Sequence, residues 1–148
     1  MELTMFVARA HTLELAAMGM DKSGTFGMTT GGTGLIQGWA PRSGFPATAI
    51  AGDTSLVANG AGPATVQARI QLTNNWVNAA LPTFRVMKNG VQLGSVQIAF
   101  NTNSATFSAM STTLAPGDTL DMQYTMPSGQ SGTVQQGAAA TYLYYTLA

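Results

Sequence analysis

Hydrophobic side chains recur at every second position over long stretches of this chain, a period that suits strands and not helices. Val66, Ala68, Ile70 and Leu72 alternate with Thr65, Gln67, Arg69 and Gln71. Leu120, Met122, Tyr124 and Met126 alternate in the same way with Thr119, Asp121, Gln123 and Thr125. Each stretch reads as a strand with one face in a core and the other turned outward. Phe84 and Val86 lead into Asn89-Gly90, a pair that accepts the positive φ values of a two-residue hairpin. On the return strand the apolar positions are Val91 and Leu93, then Val96, Ile98 and Phe100. That slip of phase predicts a β-bulge at Gly94 or Ser95. Residues 101–104 make the next turn, Ala105, Phe107 and Ala109 the next strand, and Ala115-Pro116-Gly117-Asp118 the turn after it. Strand upon strand joined by short polar turns predicts an all-β sandwich or barrel.

A chain of 148 residues can bury a core of its own and is expected to form one domain. Charged residues are 8% of it, six acidic and six basic, against about 25% in an ordinary soluble domain. A surface so poor in charge is weakly protected against self-association, so much of it is expected to be covered in an assembly. Arg42, Arg69, Arg85 and Lys88 are scattered and form no cluster that could neutralise phosphates, which argues against a nucleic-acid partner. There is no cysteine, and thus no disulfide framework or thiolate chemistry. Glu2, Arg9, His11 and Glu14 interrupt what a signal peptide would need as an apolar run, and no stretch approaches a membrane span. Release by lysis or inside a larger particle is the expectation.

The glycines divide the chain. Residues 1–20 carry Leu3, Phe6, Ala10, Leu13 and Ala17 at helical spacing, while Leu3, Met5 and Val7 fit a strand equally. We read this segment as an N-terminal arm, helix or strand, whose Leu3, Phe6, Leu13, Met18 and Met20 dock onto a neighbouring protein. Residues 21–38 hold six glycines among Ser and Thr and read as a connector. The sandwich domain then spans 39–148. Its last strand differs from the rest: Leu143, Tyr145 and Leu147 share one face, Tyr142 and Tyr144 the other, and neither face is polar. Such a strand is either central and covered on both sides or lends its second face to a subunit contact, with Tyr142, Tyr144 and Tyr145 as the contact residues.

Residues with catalytic chemistry are few. His11 is the only histidine and lies in the arm, far in sequence from any core strand. Asp53 and Asp118 sit in matching Gly-Asp-Thr tripeptides, where a carboxylate ordinarily accepts backbone N–H bonds in a turn. Nothing places the two side by side as a glycosidase pair would require. Gly31-Gly32-Thr33-Gly34 lacks the lysine of a nucleotide loop. No catalytic residue, metal site or cofactor is expected. Trp39 and Phe45 are candidates for stacking on sugars, with residues 39–45 and 127–132 as the loops that would face a glycan.

The run Phe84-Arg85-Val86-Met87-Lys88-Asn89-Gly90, followed by Thr113-Leu114-Ala115-Pro116-Gly117-Asp118-Thr119-Leu120 and the aromatic ending Thr141-Tyr142-Leu143-Tyr144-Tyr145, resembles the jelly roll of complement globular heads and tumour necrosis factor. That resemblance implies a jelly-roll-like antiparallel β-sandwich that assembles as a homotrimer. Residues 38–148 also resemble small accessory virion proteins of tailed phages infecting actinobacteria, usually called minor tail proteins. Gly38-Trp39, Ser55-Leu56-Val57 and Ala64-Thr65-Val66-Gln67-Ala68 carry this likeness. It implies a virion protein of the tail or of the capsid surface, partnered by itself and by other virion proteins, with no catalytic residues to carry over. Host-surface carbohydrate recognition is the alternative function.

Overall fold

The structure, a computed structural model, describes residues 13–148. Strands run through all of it: β1 (Met18–Lys22), β2 (Phe26–Met28), β3 (Thr33–Leu35), β4 (Trp39–Pro41), β5 (Ile50–Ala51), β6 (Ser55–Val57) and β7 (Gly62–Gln71). Then follow β8 (Thr83–Lys88), β9 (Val91–Gln97), β10 (Ser104–Thr106), β11 (Met110–Leu114), β12 (Thr119–Thr125), β13 (Gly132–Val134) and β14 (Tyr142–Leu147). Two six-stranded antiparallel sheets face each other. The first has the order β10-β7-β14-β1-β4, with β11 also on β7. The second has the order β5-β6-β12-β8-β9, with β3 also on β12. Neighbours so distant in sequence as β7, β14 and β1 are Greek-key connections, and the sandwich is a jelly roll. A third, two-stranded ribbon of β2 and β13 closes one end. No described helix is long and apolar enough to cross a membrane.

The alternating pattern positions the core. Val66, Ala68 and Ile70 of β7 point into it with Leu72 just beyond, and Leu120, Met122 and Tyr124 meet them from β12 with Met126 just beyond. Gln67 and Arg69 lie on the outer face. Asp121 is the exception, since β12 is central and partly covered on its second side. The turns follow their residues: Asn89 and Gly90 take φ of 49° and 78° in the β8–β9 hairpin, and Gly117 takes 88° between β11 and β12. The bulge on β9 is present, one residue before its expected place. Val86 pairs with Gly94 and Met87 with Gln92, so Leu93 is the extra residue.

The N-terminal boundary requires correction. Met18 and Met20 are fully buried in β1, which is hydrogen-bonded between β14 and β4, so they are core residues and not part of a docking arm. Leu13 is 62% exposed, yet its carbonyl accepts a hydrogen bond from Ala61 N–H, and Glu14 bridges to Ala61. Gly60 makes that approach possible, because a Cβ there would overlap the Glu14 carbonyl. Leu3 and Phe6 lie outside the described residues. The segment 21–38 is no free connector either. It supplies β2 and β3, fully buries Ile36, and buries Lys22, whose Nζ donates to the carbonyls of Ser23, Gly24 and Gly38 at 2.7–3.1 Å. Burial pushes the Lys22 ammonium down from its ordinary value, and the Asp53 carboxylate partly offsets this.

Candidate functional site

The side chains that alternate outward from β7, β14, β1 and the β10/β11 edge form one surface. Cross-strand register places Thr106, Arg69, Tyr142, Asp21 and Ala40 in one row, and Gln67, Tyr144 and Gly19 in the next. Gly19 is required there: a Cβ would come within 2.9 Å of Tyr144 Cβ and 3.1 Å of Arg42 Cβ. In the space it leaves, Arg42 lies across both tyrosines, its guanidinium carbon 4.7 Å from the Tyr142 ring centre and 5.2 Å from that of Tyr144. Arg42 also pairs with Asp21 and donates to the Ala138 carbonyl at 2.9 Å. Phe45 packs on Tyr144 at 5.5 Å between ring centres, and the two tyrosines stand 5.6 Å apart. The Tyr144 hydroxyl is hydrogen-bonded to Gln67. Arg69 donates to Thr106 and Gln71, while its Nε is buried with no partner among the described residues.

The result is a half-buried aromatic platform crossed by one ion pair, flanked by Thr65, Thr146 and Ser111. Its polar groups are mostly spent on each other, which leaves a surface suited to contact and poor in reactive groups. Tyr142 and Tyr144 are placed on the outer face of β14, opposite Leu143, as the alternation of the strand implied. Tyr145 is not. It points inward, fully buried beside Leu143, with its hydroxyl sealed and unpartnered among the described residues, and burial pushes its pKa up to about 12. Trp39 is likewise no sugar platform: it is buried at the sandwich core, and its indole N–H donates to the Ile36 carbonyl at 2.8 Å. Phe45 joins the aromatic platform instead of standing free.

The acidic residues are absorbed by structure. Asp53 accepts from the backbone N–H groups of Gly38 at 2.9 Å and Trp39 at 3.1 Å. Asp118 accepts from Asn89 Nδ2 and from Ala115 N–H, each at 2.9 Å, and these bonds, with Lys88 nearby, hold its carboxyl below the usual range. Ser55 pairs with Asp121, and Ala58 N–H donates to the Asp118 carbonyl, so Asp53 and Asp118 lie at opposite ends of the β6–β12 pair. The whole of β6 lies between them and each carboxylate is committed to its own turn, so the two do not stand side by side as a glycosidase pair would. Burial raises Asp121, and its hydrogen bond from Ser55 at 3.3 Å lowers it in part. His11 lies outside the described residues. No group of three metal-ligating side chains occurs among the described residues.

Three solved structures place the fold. Eiger TNF from S. frugiperda superposes with a TM-score of 0.65 at 12% identity, over 90% of this chain and 92% of that one. Murine APRIL at pH 5.0 gives 0.63 at 12% identity, over 91% of this chain and all of that one. Bushbaby GITRL gives 0.53 at 12% identity, over 91% and 95% respectively. At these identities the likeness is one of fold: a TNF-like jelly roll. No protein-family model matches the chain, and no curated protein matches its sequence.

Proposed function

We propose that this chain is a non-enzymatic accessory protein of a phage virion, on the tail or on the capsid surface, that assembles as a homotrimer through the Tyr142–Tyr144 platform. The observation that carries the self-association is the outer face of β14, a central strand presenting two partly exposed aromatic rings with Arg42 and Phe45 packed on them. Its proposed counterpart is an edge of the same sandwich. At the open side of the sandwich the edge strands β9 and β11 bound a cleft of about 320 Å3 containing Leu93, Val96, Phe107 and Met110, and Val91 beside it is 67% exposed. An edge from one copy seated on the platform of the next makes a head-to-tail contact, which closes into a ring or runs on into a fibre. Closure at three subunits rests on the resemblance to the jelly-roll trimers.

The virion role rests on the sequence likeness of residues 38–148 to minor tail proteins, and the charge-poor surface supports it, since packed neighbours would cover that surface. Attachment would fall to residues 1–12 or to the sandwich itself. Quantitative mass spectrometry of gradient-purified particles tests the role: the chain should be present in a copy number divisible by three. Its absence from intact particles would overturn the virion assignment and leave the trimer to be judged on its own.

A further inference from the structure

The β2–β13 ribbon and the segment after β7 border a second, open cleft, of about 430 Å3, at the end of the sandwich. The segment is tied to the ribbon by the Leu72–Val134 bridge and by Thr73 N–H donating to the Thr133 carbonyl at 3.0 Å. Thr73, Asn74, Asn75, Ser131 and Thr133 line its walls, with Trp76 beneath. Trp76 is anchored on three sides: its indole donates to the Ala80 carbonyl, its N–H to the Thr102 carbonyl, and its own carbonyl accepts from Asn101. The cleft is thus a pre-formed one within the size range of small-molecule sites.

Gly27 lines the cleft and narrows it least of the residues that do. Among the described glycines it alone combines a φ outside the left-handed region with open space around a would-be Cβ. Neither a turn nor a close approach demands glycine at this position. It pairs with Thr133 across the ribbon, so a side chain there would stand in the cleft. What the glycine leaves is volume.

The chemistry of the lining selects the occupant. Among the described residues no charged side chain lines the cleft, so an anion or cation would give up hydration with nothing there to replace it. An apolar ligand would strip water from five hydroxyl or carboxamide side chains. Asn74 has only a 3.4 Å contact to Thr73, leaving its amide free for a better partner. We infer that this cleft binds a neutral saccharide, whose hydroxyls can both donate to and accept from Asn, Ser and Thr. The inference is independent of the trimer, and its residues are not those of the platform.

Amide chemical-shift titration of the full chain tests it, with maltose, cellobiose, N,N′-diacetylchitobiose and methyl α-mannoside each at tens of millimolar. At least one should shift the amides of Asn74, Asn75, Ser131 and Thr133. Gly27→Leu should weaken that binding about tenfold or more by filling the cleft, with unchanged melting, because its side chain enters open space. Asn75→Ala, at an exposed position, should weaken it too, and stands in should the leucine variant misfold. Shifts from none of the four sugars, or shifts that persist in both variants, would overturn the assignment. So would a neutral Ser-Gly-Asn-Thr peptide that shifts these amides where no sugar does, since the cleft would then be a peptide site.

Discussion

Tyr145→Phe separates a core residue from an interface residue with one oxygen atom. The Tyr145 ring is fully buried between the sheets, and its hydroxyl has neither solvent nor a described hydrogen-bond partner. A buried hydroxyl left unsatisfied costs about 1–3 kcal/mol, and removing it leaves a void smaller than a methyl group. The two effects oppose each other, and the net gain should be about 1 kcal/mol, which for a chain of this length raises Tm by about 4 °C. Scanning calorimetry at fixed protein concentration measures it, because assembly makes Tm depend on concentration. The variant should also change the alkaline limb. The folded tyrosine holds its proton up to about 12, whereas an unfolded one releases it near 10.0. The native state therefore binds more protons between those values, and wild-type stability falls as pH rises through that window. The phenylalanine variant lacks this loss. A variant that melts lower than wild type at neutral pH, or that sediments as a smaller species, would refute the placement of Tyr145 in the core.

Tyr144→Asp removes the ring at the centre of the platform, which an assembled partner would cover, and sets a carboxylate in competition with Asp21 for Arg42. It should give monomers with the far-ultraviolet dichroism of the native strands, measured by size-exclusion chromatography with light scattering. Asp121→Asn keeps an acceptor for Ser55 while removing a charge that burial disfavours. Because the folded pKa is raised, wild-type stability is greatest below the unfolded value and falls as pH rises through the folded one, so urea midpoints of the variant should lack that fall and exceed wild type at pH 7. Deleting residues 1–20 removes Met18 and Met20, each worth about 2–5 kcal/mol of burial, and should abolish folding. Deleting residues 1–12 removes no described contact and should leave the melting curve intact; loss of attachment to particles that lack the native protein assigns docking to that segment, and retained attachment assigns it to the sandwich.

The strands that alternate cleanly were legible because one residue type faced each side. β7 and β12 are such cases, and Asn89-Gly90 fixed the hairpin between β8 and β9 through backbone geometry alone. β1 was hidden because its pattern is Met18-Gly19-Met20, and the glycine is there for Tyr144 and Arg42, which arrive from the far end of the chain and from the loop after β4. Gly34 misled in the same manner. Its place in a glycine-rich run suggested a linker, yet a Cβ would come within 3.0 Å of the Tyr124 hydroxyl. Close approach and flexibility leave the same letter in a sequence. Trp39 could not be assigned an inward direction, because β4 is too short to show a period. The 430 Å3 cleft draws on residues near 27, 74 and 132, and no spacing rule joins them. Its one local sign is Gly27, a glycine flanked by Phe26 and Met28 in a strand.

Assembly of this protein depends most on the platform of β14 being a subunit contact. Sedimentation equilibrium of the wild-type chain at micromolar concentration tests this directly, with the Tyr144→Asp variant run beside it. We expect wild type to fit a single species of three times the 15.3 kDa chain mass, and the variant to fit one chain. A wild-type protein that sediments as a stable monomer of 15.3 kDa would contradict the account.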